Sequence, residues 1–99
     1  MSDKPAARTT DSVQNHPPCS PPFCGPGSEN VIIEFLQAYR VTDFNTPHGV
    51  PPFCIPHSTP LAVGSTKVYV NNLQAGRIGD THSCGLPVTS GASKTRIGG

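Results

Sequence analysis

The apolar residues of this chain come in short bursts, and the bursts repeat. Val68-Tyr69-Val70 is a β-branched and aromatic run, and residues 73–78 place the apolar Leu73, Ala75 and Ile78 after Asn71-Asn72, a pair that tolerates positive φ. This pattern predicts a β-hairpin with a two-residue turn. Residues 31–39 form an equally apolar burst with no Gly or Pro to break it, and taken alone they would pass for a short helix. Residues 27–43, however, align with residues 64–80 without a gap. Gly27/Gly64, Ser28/Ser65, Val31/Val68, Leu36/Leu73, Gln37/Gln74, Ala38/Ala75, Arg40/Arg77 and Asp43/Asp80 are identical. Two copies of one sequence should share one fold, so both are predicted as strands.

A half copy stands at each end. Residues 5–11 match the second half of the unit and residues 91–95 the first half. The C-terminal segment through Ile97 is therefore expected to pair with residues 6–9, completing a third unit. The fold class that follows is mainly β: a single domain over residues 1–99, with three hairpin units around a pseudo-threefold axis. Between the units lie residues 12–26, 44–63 and 81–90, rich in Pro, Gly, Ser and Thr, which are predicted as loops outside any ladder.

Composition explains why such a fold needs a staple. Only 34% of the 99 residues are hydrophobic, there is no Trp, and 12 Pro with 10 Gly exclude long helices. A core this thin calls for a metal, a disulfide or a partner. The formal net charge is +1, with no basic run, so nucleic-acid binding has no electrostatic footprint. No apolar stretch approaches the roughly 20 residues of a spanning helix, and residues 1–10 lack the apolar core of a signal peptide. Synthesis in the cytoplasm and no stable membrane insertion are the expectations.

All four Cys and all four His fall in the three loops. His16 stands five residues after Asp11 and His48 five after Asp43, while His82 stands two after Asp80. His57 and Cys84 each precede the glycine that opens the next unit by seven residues. Imidazole and thiolate suit a closed, tetrahedral structural zinc site. In an extended backbone, residues two apart project to the same side, so His82 and Cys84 could reach one ion. His16 and His57 would supply the remaining positions. His48, Cys19, Cys24 and Cys54 are reserves, and Cys54 could instead pair with Cys19 or Cys24. The repeated Asp11, Asp43 and Asp80 read as turn caps, and Arg8, Arg40 and Arg77 as solvated or Asp-paired.

With these residues in place, a resemblance emerges. Pro5-Ala6-Ala7-Arg8 spells the tetrapeptide for which the PAAR-repeat family is named. Gly64-Ser65, Val68 and the run Gln74-Ala75-Gly76-Arg77-Ile78-Gly79-Asp80, followed by His82-Ser83-Cys84-Gly85, look like that family's repeat. The resemblance implies a small cone of β-hairpins whose apex holds one structural Zn2+ through three His and one Cys. It further implies a structural spike-tip protein, not an enzyme. Its broad base would cap the trimeric β-helical spike (VgrG-like, or a phage hub spike) of a type VI secretion system or other contractile, phage tail-like injection system, sharpening it for membrane piercing. Such a protein would assemble at the spike tip and be delivered outside the cell or into the target. Because the chain ends at Gly99, any effector cargo is expected to ride non-covalently. The middle unit lacks the family's glycine at Tyr39, and His48 could replace His16 or His57. The rival readings are a small zinc-dependent hydrolase and a disulfide-stapled secreted binding module. The hydrolase is disfavoured by a chain expected to be too small for a pocket of several hundred cubic ångströms.

Overall fold

The computed structural model describes residues 3–99. Its regular elements are eight short strands: β1 (Lys4–Pro5), β2 (Ile32–Ile33), β3 (Leu36–Gln37), β4 (His48–Val50), β5 (Ile55–His57), β6 (Tyr69–Val70), β7 (Leu73–Gln74) and β8 (Arg96–Ile97). They form four antiparallel pairs, β1–β8, β2–β3, β4–β5 and β6–β7. There is no helix among the described residues, and so none long and apolar enough to cross a membrane.

The two internal copies fold alike. Ile33 faces Leu36 and Val70 faces Leu73 across two-residue turns. Both central residues of each turn have positive φ: 53° and 68° at Asn71 and Asn72, 48° and 78° at Glu34 and Phe35. Asn suits that backbone, whereas Glu and Phe adopt it at a cost of about 1–2 kcal/mol each. The third hairpin joins the chain ends, as the half copies predict. Its register is displaced from the expected one: Lys4 faces Ile97 and Pro5 faces Arg96.

Three backbone hydrogen bonds close a ring where the units meet. The amide of Ala7 donates to the Gly76 carbonyl (3.0 Å), Gly76 to Tyr39 (2.8 Å) and Tyr39 to Ala7 (3.1 Å). Around the ring, bridges join Ala6 to Arg77, Ala38 to Arg8 and Ala75 to Arg40. The hairpin turns also interlock: Ser28 Oγ donates to Asn71 and Ser65 Oγ to the Gly98 carbonyl, while the Glu34 carboxylate accepts from Ser93, Lys94 and Thr95.

Each strand leaves the ring through the same turn. The amides of Asp11, Asp43 and Asp80 donate to the carbonyls of Arg8, Arg40 and Arg77 at 3.0–3.1 Å. Each Asp carboxylate in turn accepts from its arginine's backbone amide and from the guanidinium. These are bidentate, charge-assisted pairs that also cap a turn. They pin a positive φ at Thr10 and Thr42, where the third copy has Gly79.

The loops carry isolated bridges, Ser12 to Phe23 and Cys24 to Asn45 among them, and at one place a true ladder. Residues 44–63 were expected to form no ladder, yet they contain the β4–β5 hairpin, with His48 facing His57, Gly49 facing Pro56 and Val50 facing Ile55. Gly49 permits this close pairing, since a Cβ there would stand 2.6 Å from Cys54 Cβ. The apolar interior is divided. Ala6, Ala38, Val70, Ala75, Ala92 and Ile97 pack beneath the hairpins. Ala7, Val13, Cys24, Tyr39, Leu61, Leu86 and Val88 pack beneath the loops.

Candidate metal centre

The loop-side core supports a group of four donors. One ligand atom each from His16, His48, His57 and Cys84 lies within 4.8 Å of the others. The first loop brings His16, the β4–β5 hairpin brings His48 and His57 as a cross-strand pair, and the third loop brings Cys84. His57 Nε2 lies 2.7 Å from His48 Nε2 and 3.3 Å from His16 Nε2.

Side-chain hydrogen bonds prepare these groups for a cation. His48 Nδ1 is 3.0 Å from the Thr46 carbonyl, which can only accept, so Nδ1 carries the proton and Nε2 presents a lone pair to the group. His48 itself is buried. The His57 pKa is held below its ordinary value by burial and then by the neighbouring His48 and His16, which favours the neutral, ligating form. Cys84 Sγ lies 3.1 Å from Thr59 Oγ1. Three imidazoles and one thiol converging from three loops match the donor set of a closed structural zinc site, so the residues present fit the ion.

Of the four residues that spacing singled out, the structure brings together His16, His57 and Cys84 and leaves out His82. His82 is 2% exposed, with Nδ1 2.8 Å from the Leu86 carbonyl and Nε2 2.8 Å from Tyr39 Oη. Nδ1–H donates to the carbonyl, and Nε2 accepts from the tyrosine, so both ring nitrogens are engaged. The extended geometry that would have aligned His82 with Cys84 is missing: the Gly85 amide donates to the His82 carbonyl at 2.8 Å, and the chain reverses between them. His82 turns into the core and Cys84 toward the donors. His48 stands in the group in its place. The signal for it is in the sequence, since His48 follows Asp43 at the spacing by which His16 follows Asp11.

The remaining cysteines separate cleanly. Cys19 and Cys54 form a disulfide with Cα atoms 5.6 Å apart, tying the first loop to the β4–β5 hairpin. Cys24 is a buried free thiol whose pKa is pushed well above the ordinary range by burial and then by Asp11 and Asp43. Contrary to expectation, the chain is large enough to form grooves of several hundred cubic ångströms. A groove of about 450 Å3 is lined by residues including Phe23, Cys24, Gly25 and Gln37, and none of the four donor residues lines it. A second groove, about 380 Å3, runs along His48 and the disulfide.

Comparison with known families matches the chain to the model of the PAAR motif over residues 24–90. No curated protein matches.

Proposed function

Because the chain belongs to the PAAR-motif family, a family of spike-tip proteins that are structural and not enzymatic, we propose that it caps the trimeric β-helical spike of a contractile injection machine. In this reading residues 1–99 form one conical domain. The three-membered ring of Ala7, Tyr39 and Gly76 supports a pseudo-threefold arrangement, which would let one chain offer three similar hairpins to a threefold partner. The partner is a VgrG-like or phage hub spike.

The observation that carries the reading is the convergence of His16, His48, His57 and Cys84 from three loops. These four side chains would hold one zinc ion, which supplies a cross-link and no chemistry. Four protein donors leave no open position for a substrate or an activated water. Tying the loops together contributes folding free energy directly, on the order of 10 kcal/mol in small zinc domains. A tip that must strike without deforming needs that rigidity.

Purified protein should contain about one zinc per chain, and chelation should unfold the loop side or lower the melting temperature sharply. Zinc-free protein that melts like the loaded form would overturn the staple. Sedimentation with a trimeric β-helical spike should show one chain per trimer, and failure to co-sediment would overturn the capping role.

A further inference from the structure

The charges of this chain are confined to one part of it. Every Lys, Arg, Asp and Glu lies in the three units or at the chain ends, and residues 12–28, 44–66 and 81–93 contain none. Those uncharged segments are the loops that bring the four donors together. From them projects the β4–β5 hairpin, whose residues 51–56 are exposed without interruption. Phe53 is 82% exposed and Ile55 62%.

Three features separate this hairpin from an ordinary loop tip. It is held out rigidly, by the β4–β5 ladder and by the Cys19–Cys54 disulfide, so its apolar side chains cannot fold back onto the core. Pro51, Pro52 and Pro56 have no N–H, so half of residues 51–56 present no donor that would need water. Apart from the metal centre at its base, the surrounding loops hold no Lys, Arg, Asp or Glu to be desolvated. A protein groove selecting this tip would ordinarily be read through polar and charged contacts at its rim. Here the surrounding loops offer no charged side chain for such contacts. What remains is a projecting apolar edge whose two large side chains gain by leaving water, while the carbonyls of the turn can stay hydrated at the headgroup level.

We propose that the β4–β5 hairpin is a lipid-contacting edge, inserting Phe53 and Ile55 at the headgroup–acyl boundary of an uncharged bilayer. The proposal deepens the spike-tip reading, on which it rests for the end that travels foremost. Vesicle binding needs no spike, however, so a failure here and a failure of co-sedimentation are separate results.

The chain has no Trp, so zinc-loaded Phe53→Trp carries a single reporter at the tip. Added to phosphatidylcholine vesicles, its emission should shift to the blue and be quenched by brominated acyl chains, with no dependence on salt. Phe53→Ser/Ile55→Ser removes only exposed side chains. It should keep its zinc and its melting temperature while partitioning into the same vesicles weakens by roughly tenfold or more. An unshifted, unquenched Trp overturns the proposal. So does undiminished binding of the double variant, which would mean another surface meets the lipid, or binding that requires anionic lipid and vanishes in salt, which would make the contact electrostatic.

Discussion

His48 and His82 are two buried imidazoles with opposite assignments, and the difference lies in what each ring nitrogen meets. His48 spends Nδ1 on a carbonyl and keeps Nε2 for the donor group. His82 spends both nitrogens on the core. His48→Ala should therefore lose zinc, with affinity down at least tenfold in a metal-competition titration. His82→Gln should keep one zinc per chain yet unfold more easily, by about 1–3 kcal/mol, because Tyr39 Oη and the Leu86 carbonyl lose a well-placed partner. Burial lowers the His82 pKa in the folded chain below its unfolded value near 6.5. The unfolded state then binds the proton first. The contribution of His82 to stability is complete above about pH 6.5 and is lost as pH falls toward the lowered value. Melting of zinc-free protein between pH 5 and 7 should show a shallower acid limb for His82→Gln than for the parent chain. The sequence displayed His48 as plainly as His16, through the shared distance from an aspartate. It could not display the reversal at residues 83–85 that parts His82 from Cys84, because alternation along an extended backbone was the wrong local geometry.

At the level of elements, the repeat was the decisive signal. Residues 31–39 have helical continuity when read alone, and only their match to residues 68–76 makes them a hairpin. The cost of that conformity is visible at the turn, where Glu34 and Phe35 occupy the positive φ that Asn71 and Asn72 take in the other copy. Phe35 is 97% exposed and loses no packing when replaced. Phe35→Asn should thus raise stability by about 0.5–1 kcal/mol in urea unfolding; a loss of stability would show that the turn is not strained. Glu34 has a second role, since its carboxylate accepts four hydrogen bonds from residues 93–95 and fastens this hairpin to the C-terminal segment. The β4–β5 hairpin lay beyond pattern reading. Its strands contain Gly49 and Pro56 in place of alternating apolar residues, and the disulfide that tethers it comes from a cysteine with a sequence separation of 35.

Taken whole, the molecule is held by a few long-range ties in place of a large core. The Cys19–Cys54 bridge has a sequence separation of 35 and joins the carriers of His16, His48 and His57. Reduction, or Cys19→Ser/Cys54→Ser, should cost about 2–4 kcal/mol in urea unfolding of zinc-free protein. With zinc bound the loss should be smaller, because the ion ties the same two loops. The ring at the meeting of the units has a different kind of consequence. Its three equivalent stations hold Ala7, Tyr39 and Gly76, and a Cβ at Gly76 would stand 2.8 Å from a Leu61 methyl and 3.0 Å from the Tyr39 carbonyl. One station is filled because the other two are nearly empty. Three identical chains meeting at an axis would have to install the same residue three times, and three tyrosines would not fit where one does. Writing the units in tandem on a single polypeptide removes that restriction, so the centre of the assembly can be solid, and its one phenol can reach sideways to the one histidine that needs it.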